Sequence, residues 1–167
     1  MPRVPGGQLS PGRTGTGPPV STNTRVMHAT PDPVWDVLSD GWLYPRWVVG
    51  ASRMREVDDG WPARGTRLHH SVGSWPLLID DVTECMEEVP GSRLVLHAHA
   101  WPAGRATVVL RLSPVGVDTE VTIEEQATAG PAAVVPRLVQ DPMLAWRNVE
   151  SLRRLAFLVE RRQQRGA

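Results

Sequence analysis

Ala29-Thr30-Pro31-Asp32-Pro33-Val34-Trp35-Asp36-Val37-Leu38 is the stretch on which the reading of the fold turns. Thr30 is placed to cap a helix, and Pro31 can occupy the first helical position, where a missing amide hydrogen costs little. Val34, Val37 and Leu38 then share one face, and Asp40-Gly41 ends the helix before a second short turn holding Trp42, Tyr44 and Trp47. On the other side, Ser21 to His28 is a polar, Thr-containing run of strand length that includes Val26. The chain therefore opens as one strand followed by two short helices.

Downstream the punctuation changes. Asp58-Asp59-Gly60, Gly73-Ser74, Pro90-Gly91-Ser92, Pro102-Ala103-Gly104 and Pro114-Val115-Gly116 separate runs of strand length, the rhythm of an antiparallel meander. This predicts strands near 51–58, 65–73, 76–88, 92–101, 105–113 and 118–128, seven with the first. After Gly130-Pro131 the period becomes helical: Leu138, Pro142, Ala145, Val149, Leu152, Ala156 and Val159 recur at spacings of three and four. Asp141-Pro142 reads as a cap and first-turn pair, so the main helix is expected from about Pro142 to Arg161. Arg153, Arg154, Arg161 and Arg162 suit the negative end of its dipole as a solvated face. The expected class is α+β, a seven-stranded curved antiparallel sheet around a long C-terminal helix.

Composition narrows the function classes. A chain of 167 residues suits one domain, since at this size ~70% of the unfolded surface can be buried around a single core. Residues 1–20 are dense in Pro and Gly and read as a disordered tail, leaving 21–162 as the domain and 163–167 as a C-terminal tail. Lys+Arg and Asp+Glu number 18 each, so no net field favours nucleic acid or an anionic membrane. All of the basic residues are Arg, a bias that GC-rich coding produces without any functional cause. Cys85 stands alone, which removes internal disulfides, CxxC pairs and cysteine-rich zinc sites and fits a reducing cytoplasm. Neither a secretory apolar core nor a run of about 18 apolar residues is present, so no transmembrane segment is expected.

The order of elements, and the run Val26-Met27-His28-Ala29-Thr30-Pro31-Asp32-Pro33-Val34-Trp35-Asp36-Val37-Leu38-Ser39-Asp40, resemble the START-like (SRPBCC) superfamily and its polyketide cyclase/dehydrase and lipid-transport branch. Trp47, Gly65-Thr66, Pro90 to Leu96, Asp118-Thr119-Glu120-Val121-Thr122, and Asn148 with Leu152 are similar too, so the resemblance spans about 21–162. It implies a helix-grip fold with an apolar cavity between sheet and helix, a hydrophobic small-molecule partner (a lipid or polyketide-like aromatic) and no cofactor. It does not choose among carriers, cyclases and dehydratases.

Strand alternation assigns the faces. Val121 and Ile123, then Val108, Leu110 and Leu112, then Leu94, Leu96 and Ala98 should face the helix, and the same parity turns Leu68, His70, Val72 and Glu125 inward. A desolvated carboxyl is a proton donor and a nearby imidazole a base, the pair that a cyclisation or dehydration uses, which makes His70 and Glu125 the candidate catalytic residues. In a purely structural role Glu125 would bond an Arg or backbone groups, and His70 would be hydrogen-bonded and inert. His97 and His99 share a strand face opposite Leu96 and Ala98 and, with His69, read as solvated rather than as metal ligands. Of seven Trp residues, Trp35 and Trp47 fit structural positions, whereas Trp75, Trp101 and Trp146 are candidates for the cavity mouth. Asn148, one position off the helical stripe, can reach a ligand oxygen or bond the sheet, and Cys85 reads as a small buried hydrophobe.

Three functions follow as expectations: binding of a hydrophobic small molecule, with Leu68, His70, Val72, Leu96, Ala98, Val108, Leu110, Glu125, Trp75, Trp101, Trp146 and Asn148 around it; a cyclase/dehydratase using His70 and Glu125; or a module that docks a protein partner through the tail or the arginine-rich helix end. Homodimerisation is left open by the sequence.

Overall fold

The computed structural model describes residues 20–100, 104–129 and 137–166. Strand β1 (Val20–Met27) is followed by helix α1 (Pro31–Leu38), a 3-10 turn (Gly41–Leu43) and helix α2 (Tyr44–Trp47). Six strands then run as a meander, β2 (Ala51–Val57), β3 (Arg67–Ser74), β4 (Leu77–Val89), β5 (Arg93–Ala100), β6 (Gly104–Val115) and β7 (Asp118–Ala129), and α3 (Arg137–Gly166) closes the chain. All pairings are antiparallel, in the order β1-β7-β6-β5-β4-β3-β2. Consecutive strands from β2 to β7 pair by hairpins. The two helices after β1 carry the chain from one edge of the sheet to the other.

At the start of α1, Thr30 takes the capping position and Pro31 the first turn, but the Thr30 hydroxyl makes no capping bond. Val34, Val37 and Leu38 are buried and anchor the helix on the core. The 3-10 turn presses close to the sheet at Gly41, where an added Cβ would stand 2.7 Å from Leu68 Cδ2 and 2.8 Å from Val57 Cγ1. A larger residue there would force the Leu68 and Val57 side chains to shift.

Three expectations need correction. First, α3 begins at Arg137, so Asp141-Pro142 lies within the helix. Near a helix start, Pro142 forfeits a single amide rung, which the rest of the helix tolerates. Second, α3 continues through Gly166, so residues 163–166 are helical where a tail was expected. Third, the buried face of α3 is Asn148, Ser151, Leu152, Leu155, Ala156 and Val159, and Val149 is 50% exposed. The stripe read from apolar residues alone was rotated because polar side chains occupy part of the inward face. The proposed tail, apart from Val20 in β1, lies outside the described residues.

The core fills one end of the concave face. Leu68, Cys85, Leu94, Leu110, Leu112 and Val121 from the sheet meet Leu152, Leu155, Ala156 and Val159 from α3, with α1 closing the side. Arg162 fastens this end from outside, donating to Asp40 at 2.9 Å.

Candidate functional site

At the other end of the same face a cavity of about 110 Å³ opens to solvent on one side. Register builds its walls. Paired residues of antiparallel strands share a face, so the pairs His70↔Asp81, Thr83↔Ala98, Ala98↔Ala106, Leu96↔Val108 and Val108↔Glu125 set one inward-facing surface across five strands. Opposite them stand Arg147, Asn148 and Ser151 of α3, and Tyr44, Trp47 and the 48–51 segment complete the rim. Ser151 Oγ accepts from the Val49 amide at 3.2 Å, which ties α3 to the chain leaving α2.

Of the residues expected here, His70, Val72, Leu96, Ala98, Val108, Glu125 and Asn148 line the cavity. Leu68 and Leu110 do not. Both are fully buried in the dry core, because they lie toward the end of the sheet that α1 and the later turns of α3 cover. Trp75 is 85% exposed at the tip of the β3–β4 hairpin, and Trp146 is 64% exposed on the outer side of α3. Neither lines the cavity: the hairpin tip carries Trp75 beyond it, and Trp146 stands two positions from Asn148, which turns it off the inward face. Trp101 lies outside the described residues. Trp47 is buried and does line the cavity, and Trp35 packs partly buried against the core.

His97 is exposed, but half-buried His99 borders the cavity, contrary to strand parity. A β-bulge at Arg105–Ala106, beside its partner Arg105, increases the twist of this corner. His69 lies on the other face, its Nε2 3.0 Å from Asp58 Oδ1. Among the described residues no group of three His, Cys, Asp or Glu side chains is placed to hold a metal ion.

The polar groups of the cavity fall into two sets. In the first, Thr83 Oγ1 lies 3.0 Å from His70 Nε2 and 3.2 Å from the Tyr44 hydroxyl, and the Tyr44 and His70 rings are 5.2 Å apart. Burial lowers the His70 pKa to about 4, so the imidazole is neutral at pH 7, and raises that of Tyr44 to about 12. Asp81, beside His70, is also raised by burial, and its Oδ1 accepts from the Val82 amide at 2.7 Å. In the second set, Arg147 reaches down from α3 to pair with Glu125 Oε1. Among the described residues, His70 Nδ1, Glu125 Oε2 and Asn148 Nδ2 are buried without a close hydrogen-bond partner, although the Ser71 backbone lies near enough to His70 to oppose the effect of burial on its pKa. Burial also raises the Cys85 thiol to about 11, which leaves it protonated in the dry core.

Sequence reasoning missed Tyr44, Asp81, Thr83, Arg147 and Ser151. The facing of β4 has no clear alternation to settle it, and nothing in the sequence sets Arg147 apart from the other arginines. For all but Tyr44, which lies on α2, the signal is a polar residue at an inward position of the first half of α3 or the middle of β4, visible only once register and helix phase are known.

This shape, a curved sheet gripping a long helix over a cavity, is shared with solved proteins. A protein from Nitrosomonas europaea matches with a TM-score of 0.70 at 16% identity, covering 87% of this chain and 96% of that one. The di-domain ARO/CYC protein StfQ from the steffimycin biosynthetic pathway matches with a TM-score of 0.67 at 13% identity over 87% of this chain and 52% of its own. Ara h 8.0201 also gives 0.67, at 11% identity over 86% and 98%. At these identities the likeness concerns fold. No curated protein matches in sequence. The family model described as polyketide cyclase / dehydrase and lipid transport matches residues 19–160, and the chain belongs to that family. No helix among the described residues is long and apolar enough to cross a membrane.

Proposed function

We propose that the protein binds a small, largely apolar molecule in the cavity between α3 and the sheet. One observation carries this reading: a cavity of about 110 Å³ walled by Val72, Leu96, Ala98, Val108 and Ile123, with polar groups gathered on the α3 side and at β3–β4. Binding sites are commonly built this way, apolar walls supplying affinity and a few polar groups fixing orientation. The volume suits a molecule of about one ring, given that an apolar cavity of ~150 Å³ holds benzene. A long acyl chain or a sterol would need more room. Family membership and the ARO/CYC label of StfQ support a polyketide-like aromatic guest, and the single buried Cys85 suits the reducing cytoplasm as the place of work.

Trp47, buried on the cavity wall, is the natural reporter. Titration with ring-sized aromatics should give a saturable change in tryptophan emission that Trp47→Phe largely removes. No saturable response to any of them would defeat the reading.

An enzyme is the second reading, because neutral His70 and the Glu125 carboxyl face the same cavity. No hydrogen bond joins them: the imidazole is held by Thr83 and the carboxylate by Arg147. An enzyme would lose turnover in Glu125→Gln while keeping its ligand, whereas a carrier would change at most in affinity.

A further inference from the structure

Among the described residues, five buried side-chain nitrogen or oxygen atoms lack a partner, and three of them, His70 Nδ1, Glu125 Oε2 and Asn148 Nδ2, belong to side chains lining this cavity. These residues are 3%, 5% and 4% exposed, so bulk water does not serve them freely. A buried polar group left unpaired costs more than a hydrogen bond returns. Three such residues around one cavity mark its polar end.

Their chemistry is specific. Glu125 Oε2 accepts and Asn148 Nδ2 donates, and Asn148 follows the Arg147 that holds the other oxygen of Glu125. A guest meeting both carries a donor and an acceptor. Charge narrows the choice further. Among the described residues Arg147 is the one cationic side chain lining the cavity apart from its two histidines, and it is paired with Glu125. His70 is held neutral by burial, and Asp81 is a second carboxyl in the wall. An incoming carboxylate would meet the bare oxygen of Glu125 with no free cation to offset it.

We infer that the cavity is charge-selective: it takes a neutral, ring-sized molecule bearing both a donor and an acceptor, as a primary carboxamide does, and rejects the carboxylate of the same shape. Glu125 is then the residue that sets specificity, and Arg147 positions it. This rests on the cavity being a binding site, and it narrows that reading by excluding anionic guests such as fatty acids.

Benzamide, benzoate and toluene are near-isosteric probes of the three cases. Calorimetry or tryptophan emission with the full chain at pH 8, above the ordinary imidazole range, should show benzamide binding on the order of 10- to 100-fold more tightly than benzoate or toluene. In Glu125→Gln the ratio of benzamide to benzoate should collapse or invert, because Arg147 is freed to receive a carboxylate. A purely structural Glu125 would instead weaken both probes equally. Equal wild-type affinity for benzamide and benzoate overturns the charge selectivity and leaves the cavity reading intact. Toluene binding as tightly as benzamide overturns the role of the unpaired atoms. Absence of binding by all three brings down the inference and the cavity reading together. The wild-type comparison needs no variant, so it decides the matter even if Glu125→Gln does not fold.

Discussion

The two ends of one concave sheet face are built from opposite materials. At one end Leu68, Leu94, Leu110, Val121, Leu155 and Val159 are all fully buried against one another. At the other, only a few residues along the same strands, His70, Asp81, Thr83, Glu125 and Asn148 are equally hidden, and several of their polar atoms have nothing to bond. The same strands and the same helix serve both. A domain gains stability by extending the dry packing along the whole face, so the polar end represents stability given up where the cavity lies. Thr83 joins the Tyr44 hydroxyl to His70 Nε2 and holds the wall in shape, while Glu125 and Asn148 each keep one buried atom without a partner.

The largest effect should separate the ends directly. Leu155→Ala, at the dry end, should cost about 2–5 kcal/mol in urea denaturation, because the loss of transfer energy is joined by a new void. Val108→Ala, which only enlarges a cavity already present, should cost less than about 2 kcal/mol. Equal costs would mean that the ends are packed alike.

Next in size is the pH response of His70. Its pKa is about 4 in the folded chain against an ordinary 6.5, so between these values the unfolded state binds more protons and stability rises with pH. The contribution is fully present above 6.5, is lost as pH falls toward 4, and amounts to at most about 3 kcal/mol. Arg55 and His69 act in the same direction as burial. Denaturation of wild type and His70→Gln at pH 4.5 and 7 should show a steeper acid loss in wild type. Parallel losses would place the acid sensitivity elsewhere.

The smallest effect should have the opposite sign. Asn148→Leu removes an unpaired buried amide and extends the apolar face of α3, so stability should rise by up to about 1 kcal/mol while affinity for benzamide falls. A clear loss of stability would show that Asn148 is a structural bond to the sheet.

The dry end was the legible one. Alternation along β5, β6 and β7 places Leu94, Leu110 and Val121 inward, and spacing of three and four finds Leu152, Ala156 and Val159 on α3. These positions announce themselves because burial there demands apolar residues at a fixed period. Inward parity also held for His70 and Glu125. The cavity end breaks the periodicity that reveals burial: Asn148 and Ser151 look like surface residues, and Val149, which completes the apolar pattern on paper, is half exposed. Thr83 and Asp81 belong to a strand whose facing is set by pairing with β3 and β5, information that no single segment carries. Trp75 and Trp146 stand as candidates for the mouth only because no structural role falls to them in the sequence, and that does not specify direction.

The place of β1 at the sheet edge, paired only with the last strand, has a consequence for the order in which the molecule can be made. Its Thr24 hydroxyl lies 3.1 Å from that of Thr122, 98 positions later. A ribosome adding about 5–20 residues per second spends roughly 5–20 s between these two positions. Throughout that interval the first strand has left the tunnel with no neighbour to pair with, while the hairpins from β2 onward can zip in sequence behind it. The sheet is therefore completed by recruiting its oldest segment last, and the edge that waits longest is the polar run Ser21-Thr22-Asn23-Thr24-Arg25, a composition that gives foreign strands little to adhere to.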